Sequence, residues 1–183
     1  LPCTHNLLPD VNVAKKLITK SVKAIILVTP NNPTGQEYPD KLIHEFALLA
    51  KEKNSALIID ETYRDFISKS SRLHTLFQTD DWRHWLIHIY SFSKVYRITG
   101  NRVGALITSQ YRLKQIEKFL DTVTICPNQL AQEAAIYGLK YLHKFVEHQR
   151  SKIIDCKEIL KAEMRALPDW KILSIGAFFA YIK

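Results

Sequence analysis

One lysine directly follows a predicted strand and lies between hydroxyl groups and an arginine. The segment begins Ser91-Phe92-Ser93-Lys94, and Arg102 follows eight residues after the lysine. A lysine partly withdrawn from water loses its proton more readily, and the neutral amine can form a Schiff base with an aldehyde. Hydroxyl groups and a guanidinium suit a phosphate better than a metal or a carbohydrate. An aldehyde combined with a phosphate suggests pyridoxal phosphate.

Two more polar turns follow apolar runs earlier in the chain. Asn32 belongs to the turn Asn-Asn-Pro-Thr-Gly at 31–35, and Asp60 and Tyr63 belong to Asp-Glu-Thr-Tyr at 60–63. In open α/β sheets, binding and catalytic groups gather beyond the carboxyl ends of the strands. We therefore expect Asn32, Asp60 and Lys94 to converge on one ligand from three strand ends.

The elements that position these residues are predicted from apolar periodicity. Strands are expected at 24–29, 56–59, 85–90 and 103–108, and the continuous apolar runs predict burial on both faces. Helices are expected at 11–18, with Val11, Ala14, Leu17 and Ile18 on one face, and at 39–53, with Pro39 in its first turn. Residues 64–81 are predicted as a long loop with at most one short helical turn. The alternation predicts an α/β fold with a mostly parallel sheet.

The second half is predicted to be helical until near its end. Helices are expected at 110–123, with its apolar residues along one face, at 128–139, and at 141–166. The last helix should turn four apolar residues inward: Leu142, Val146, Ile153 and Leu160. Short strands are expected at 171–175 and 177–182. A long helix of this kind often joins domains, so we place a boundary between residues 1–140 and 141–183.

Composition excludes several classes of protein. The 183 residues carry a net charge of +8, without the aromatic interleaving of a single-strand nucleic-acid binder. No apolar run approaches the roughly 20 residues that span a bilayer. Cys3, Cys126 and Cys156 form no CxxC pair, which favours packing thiols in a reducing compartment. Cys3 and His5 lack a second ligand pair, so we expect no metal. We expect a cytoplasmic protein without nucleic-acid or membrane partners.

Three motifs together resemble one enzyme family. Ser-x-Ser-Lys followed by Gly-x-Arg-x-Gly, which ends at Gly104, resembles the lysine segment of fold-type I pyridoxal-phosphate enzymes, class I/II aminotransferases above all. The turn at 31–35 resembles that family's Asn-Pro-Thr-Gly turn, and residues 60–63 resemble its Asp-x-x-Tyr segment. The motifs occur in the family's order. The resemblance implies a three-layer α/β large domain followed by the start of a small α+β domain.

The resemblance also implies roles for individual residues. Lys94 would hold pyridoxal 5′-phosphate as a Schiff base and shuttle a proton, and Asp60 would keep the ring nitrogen protonated. Asn32 and Tyr63 would contact the ring's phenolic oxygen. The cofactor-binding set implied is Asn32, Asp60, Tyr63, Ser91, Ser93, Lys94 and Arg102, with Ser93 a third phosphate ligand. Glu61 is interpreted as structural.

The implied activity is amino-group transfer between an amino acid and a 2-oxo acid by a homodimer. Another reaction on the same scaffold, by a β-lyase, decarboxylase or synthase, is an alternative, as is a non-catalytic aminotransferase-like domain of a regulator. Residues 57–61 also resemble a Walker B strand with Asp60 on magnesium, but no GxxxxGK[ST] motif occurs. The family is longer than this chain, so we interpret the chain as an internal fragment that is inactive alone.

Overall fold

A computed structural model describes residues 1–67 and 74–183. Its strands are β1 (Ala24–Val28), β2 (Ala56–Asp60), β3 (Leu86–Ser91), β4 (Gly104–Ile107), β5 (Ile172–Gly176) and β6 (Phe179–Ile182). Its helices are α1 (Val11–Leu17), α2 (Asp40–Glu52), α3 (Trp82–Trp85), α4 (Phe92–Val95), α5 (Gln110–Val123), α6 (Gln129–Tyr141) and α7 (His143–Glu163). Single 3-10 turns occur at Arg64–Phe66, Leu76–Gln78, Thr99–Asn101 and Met164–Ala166.

The main sheet is mostly parallel, as predicted. Its strand order is β1-β2-β3-β4; β1, β2 and β3 are parallel, and β4 is antiparallel to β3. Asp60 at the end of β2 lies opposite Val28 on one side and Ile89 on the other. Ser91 at the end of β3 lies opposite Gly104. The carboxyl ends of three strands therefore meet at one edge of an α/β three-layer fold.

Helix α2 supplies much of the core beside the sheet. Ile43, Phe46, Leu49 and Ala50 recur at helical spacing and are all buried, and the helix packs on β1 and β2. Burial of each large side chain contributes roughly 1.5–3 kcal/mol. Pro39 is the N-cap rather than a first-turn residue, so the prediction was displaced by one position. A second buried cluster joins α4, the start of β4 and α6.

Several predictions of burial were wrong. In each case no other element within residues 1–67 and 74–183 packs over the side chain in question. Strand β1 is an edge strand, and its Ile26 is 61% exposed rather than buried on both faces. Leu17 projects outward from α1. The apolar row on α5 is present, but no residue of that helix is buried. The three cysteines are exposed free thiols, not packing residues.

The C-terminal helix and hairpin differ from the prediction in detail. Helix α7 begins at His143, after a break at Leu142, and ends at Glu163. The four apolar residues predicted to point inward are only half-buried, and the buried residue of α7 is Gln149, which accepts a hydrogen bond from Arg97. Strands β5 and β6 form the predicted antiparallel hairpin.

The predicted loop at 64–81 contains two 3-10 turns where at most one was expected. Its residues 68–73 lie outside the described residues. None of the helices within the described ranges combines the length and apolar character needed to cross a bilayer.

Candidate active site

Asp60 presents one oriented carboxylate at the end of β2. Its Oδ1 accepts hydrogen bonds from the Thr62 backbone N–H at 2.9 Å and from Thr62 Oγ1 at 2.7 Å. Within residues 1–67 and 74–183, no donor bonds its Oδ2. The carboxylate is half-buried and fixed through one oxygen, which leaves the other for a ligand.

Tyr63 brings Asn32 and Asp60 together. Its ring is buried, and its hydroxyl lies 3.5 Å from Asn32 Nδ2, a long contact. Burial raises the pKa of Tyr63, and the charge of Asp60 raises it further, against a lowering by the contact with Asn32. The hydroxyl is therefore protonated at neutral pH and can donate a hydrogen bond. These three predicted residues are neighbours in the structure.

The β5–β6 hairpin holds the Tyr63 ring. Phe178 and Phe179 lie with ring centroids 5.2 Å and 4.9 Å from that of Tyr63, both nearly perpendicular to it. Edge-to-face contacts of this kind add about 0.5–1.5 kcal/mol beyond burial. Phe66, in the turn that follows Tyr63, also packs edge-on against Phe178. The C-terminal hairpin therefore determines where the tyrosine hydroxyl lies.

The Asn32 turn is fastened to the same hairpin. Gly35 has a φ of +73°, and its N–H donates to the Asn31 carbonyl at 2.7 Å. A Cβ at Gly35 would lie 2.5 Å from the Gly176 nitrogen, so the two backbones touch. Ser174 Oγ donates to Gln36 Oε1 at 2.7 Å and extends this junction. Only glycine combines that φ with that approach at low cost.

Lys94 follows β3 and carries an unpaired amine. Ser91 caps α4 by accepting a hydrogen bond from the Ser93 N–H at 3.2 Å, and Ser93 is buried. The lysine is half-buried, and in the described part of the chain its amine forms no hydrogen bond or ion pair. It lies beyond Ile89, the residue opposite Asp60, so both belong to the same edge of the sheet. No direct contact between Lys94 and Asp60 is found in that part of the chain.

Arg102 is brought near the same edge of the sheet by the pairing of β4 with β3. It is exposed in a left-handed conformation, and its Nη1 donates to the Thr99 carbonyl at 2.9 Å. Two residues later, Gly104 pairs with Ser91, and a Cβ there would lie 2.7 Å from the Tyr90 carbonyl oxygen. Strand pairing thus brings Arg102 near Ser91 in the backbone. In the described residues their side chains do not touch.

Two cavities of about 470 Å³ lie near the edge without containing Asp60 or Lys94. One is lined by Arg102 together with the segment that joins α5 to α6. The other lies between β3, β4 and α7, beside Tyr90, which donates to Asp65. Of the predicted site residues, Arg102 lines one of these two cavities.

Sequence reasoning missed three features of this site. Thr62 orients Asp60, and a hydroxyl two residues after a strand-end carboxylate is a detectable signal. Gly35 and Gly176 meet although they are far apart in the chain, and no local pattern reveals that contact. The buried Glu61 continues the alternation Leu57, Ile59, Glu61 along β2, which a period-two reading could have found.

Comparison with known proteins gives one consistent answer. A family model described as "Aminotransferase class I and II" matches residues 2–183. Histidinol-phosphate aminotransferase of Flavobacterium psychrophilum is 34% identical over 179 residues, which is 97% of this chain and 49% of that protein. Aspartate aminotransferase of Sulfolobus acidocaldarius is 26% identical over 94% of this chain and 43% of its own length.

Solved structures agree with the sequence relatives. Aspartate aminotransferase from Thermus thermophilus with maleate superposes with a TM-score of 0.88 at 26% identity, over 97% of this chain and 46% of that one. N-succinyldiaminopimelate aminotransferase from Mycobacterium tuberculosis shares the fold, with a TM-score of 0.86 at 19% identity. The chain thus spans less than half the length of these relatives.

Proposed function

Because this chain belongs to the class I and II aminotransferase family, we propose that its protein transfers an amino group from an amino acid to a 2-oxo acid, with pyridoxal 5′-phosphate held by Lys94. The observation that carries the proposal is a Lys94 amine without a hydrogen bond or ion pair to residues 1–67 and 74–183, at the sheet edge where Asp60, Tyr63 and Asn32 converge. The chain spans less than half of its relatives, so the activity, substrates and partners of the whole protein are part of this proposal.

The chemistry of the residues fits the cofactor. A free amine suits an aldehyde, a carboxylate with an open oxygen suits a pyridinium nitrogen, and an amide beside a protonated phenol suits a phenolic oxygen. Ser91, Ser93 and Arg102 supply hydroxyl groups and a guanidinium for the phosphate. When bound, pyridoxal phosphate supplies an aldehyde that captures amines and a ring that withdraws electrons from the substrate α-carbon.

The chain's residues then have distinct tasks. The Lys94 amine would hold the aldehyde and, as a free amine, would take the proton from the substrate α-carbon as a general base. Asp60, held by Thr62, would keep a proton on the ring nitrogen. Tyr63, whose pKa is raised by burial, would donate toward the phenolic oxygen.

The wider setting is proposed on the same basis. Exposed apolar side chains on α5 and α6, such as Phe119 at 65% and Leu130 at 76%, support a homodimer. Three free thiols support a cytoplasmic location. We place the boundary between the large domain, residues 1–140, and the start of the small domain, residues 141–183, where α6 ends and just before α7 begins, because the hairpin packs on α7.

The test is a half-reaction in the absence of a 2-oxo acid. The chain is loaded with pyridoxal phosphate and mixed with aspartate or with histidinol phosphate, the substrates named by its relatives. Amino transfer predicts about one molecule of oxo product per loaded chain and no ammonia, because the amino group stays on the cofactor. Lys94→Ala should release none.

Other outcomes would contradict the proposal. Continuous release of ammonia would indicate elimination, and carbon dioxide would indicate decarboxylation. No product with either amino donor or with a wider amino-acid panel, even after prolonged incubation of a chain that binds the cofactor at Lys94, would indicate a non-catalytic domain.

A further inference from the structure

A second carboxylate lies beside Asp60 and takes no part in the chemistry proposed above. Glu61 is 3% exposed, and its Oε2 lies 2.8 Å from His88 Nε2, 3.1 Å from Arg64 Nη1 and 3.6 Å from His74 Nε2. We call these four residues the Glu61 cluster. A buried carboxylate is costly unless it is paired, so a cluster of this kind requires a reason.

The Glu61 cluster has the composition of a metal site, since a carboxylate and two imidazoles offer ligand atoms within 4.8 Å of one another. Arg64 argues against a metal. Its guanidinium contacts the same Oε2 that a cation would need, and it carries a permanent positive charge. The cluster is therefore built to hold an anion, which is the carboxylate itself.

The Glu61 carboxylate stays ionised in this setting. Burial raises its pKa, but the hydrogen bond from His88 and the nearby His74 and Arg64 outweigh burial, and the pKa lies below its ordinary value. An ionised acceptor forms stronger hydrogen bonds than a neutral one. The Glu61 side chain is thus held in place inside the fold by its charged and hydrogen-bonded neighbours.

Backbone hydrogen bonds of Glu61 connect its held carboxylate to the strand ends at the edge of the sheet. The Glu61 N–H donates to the Ile89 carbonyl at 2.9 Å, and its carbonyl accepts from the Arg64 N–H at 3.0 Å. Leu57 and Ile59 in β2 and Glu61 directly after it are buried at alternate positions, so Asp60 points to the opposite side of the strand. Side chain and main chain together hold the turn that carries Asp60, Thr62 and Tyr63.

We propose that Glu61 is a positioning residue, whose carboxylate, paired with His88 and Arg64 and lying near His74, sets the direction of the neighbouring Asp60 carboxylate. The inference rests on the proposed function, because it concerns how Asp60 meets the ring nitrogen. The Glu61 carboxylate is buried and already paired with Arg64 and His88, so it is not placed to contact the cofactor itself. Its effect on cofactor binding must therefore pass through Asp60.

The experiment is a double-mutant cycle on cofactor affinity. Pyridoxal 5′-phosphate is titrated into the parent chain, Glu61→Gln, Asp60→Asn and the double variant, and binding is followed by absorbance. Glutamine keeps the shape of Glu61 and loses its charge. In the parent, we expect Glu61→Gln to weaken cofactor binding about tenfold, as loss of an orienting partner does at metal sites. In the Asp60→Asn background, the same substitution should change cofactor binding by less than about twofold.

Two variants accompany the cycle. Glu52→Gln removes an exposed carboxylate paired with Lys15 at 2.8 Å and should leave affinity unchanged. Arg64→Met removes the ion pair between Arg64 and Glu61. Because Arg64 is half-exposed, this variant replaces Glu61→Gln should Glu61→Gln fail to fold. A smaller loss of affinity that again requires Asp60 is expected.

The outcomes separate the inference from the proposed function. Equal losses in the parent background and in the Asp60→Asn background, or no loss in either, would overturn the positioning role, since a merely structural Glu61 acts independently of Asp60. A parent chain that forms no cofactor adduct at Lys94 would overturn the proposed function, and the inference would fall with it.

Discussion

Gly35→Ala should loosen the junction between the Asn32 turn and the C-terminal hairpin. Gly35 adopts a φ of +73°, and a Cβ placed there would lie 2.5 Å from the Gly176 nitrogen, 2.8 Å from the Gly176 oxygen and 3.0 Å from the Phe179 oxygen. All three atoms are backbone, so no flexible side chain can move aside. The alanine must therefore strain its own backbone or displace the hairpin.

The expected cost follows from two contributions. A left-handed conformation costs a residue with a Cβ about 1–2 kcal/mol. Overpacking of a well-filled contact adds about 1–3 kcal/mol. Together they predict a loss of about 2–5 kcal/mol in the free energy of unfolding, a large share of the roughly 5–15 kcal/mol of an ordinary domain.

Urea denaturation followed by circular dichroism measures this loss. The matched control is Gly100→Ala, because a Cβ at Gly100 meets nothing within 4 Å; its stability should stay within about 0.5 kcal/mol of the parent. A smaller m-value for Gly35→Ala would show that the hairpin detaches before the rest unfolds. A loss below about 1 kcal/mol with an unchanged m-value would refute the reasoning.

Three further predictions concern chemistry and pH. Asp60→Asn should lower the single-turnover rate about a hundredfold while the free energy of unfolding changes by less than about 1 kcal/mol. The reason is that the amide keeps the shape of the side chain and the hydrogen bond from Thr62 but not the charge. Equal, small effects on rate and stability would mean that Asp60 is only structural. Burial lowers the pKa of His74, which faces Glu61, His88, Arg64 and Asp40, so the unfolded chain binds its proton more readily and stability should fall as pH drops below about 6.5. His74→Gln should flatten the change in urea midpoint between about pH 7.5 and 5.5, and an unchanged slope would contradict this. Residues 1–183 alone should sustain steady turnover at least about a hundredfold below a complete relative such as the Sulfolobus enzyme, because substrate orientation requires groups outside the three motifs; a comparable rate would exclude this.

The positions of Asp60 and Lys94 at the ends of strands were predictable from the sequence because they are set locally. Asp60 and Lys94 each follow an apolar run, and a parallel sheet brings such ends to one edge whatever the loops do. Helix α2 was predictable for the same reason, since its buried residues recur at the helical period. The mostly parallel direction of the strands follows from the alternation of strands and helices, whereas their order in the sheet was not predicted.

The other features of the fold and of the site depend on contacts between residues distant in the sequence, which no local sequence pattern reveals. The Gly35–Gly176 junction joins distant segments, so its glycines look like ordinary turn residues in the sequence. Periodicity shows that α5 has an apolar face but not that the face lies open. Glu61 was interpreted as structural, and its neighbours His74 and His88 could not be identified from the sequence, since they approach it only in the folded chain.

The most direct test of the whole account is the attachment site of the cofactor. The chain is incubated with equimolar pyridoxal 5′-phosphate, reduced with borohydride and digested, and the modified lysine is identified by mass spectrometry. The Lys94 amine has no partner among the described residues and lies at the same sheet edge as an oriented Asp60, which predicts a single dominant adduct at Lys94 that Lys94→Ala abolishes. A dominant adduct at another lysine, or labelling spread evenly over the surface lysines, would contradict the account.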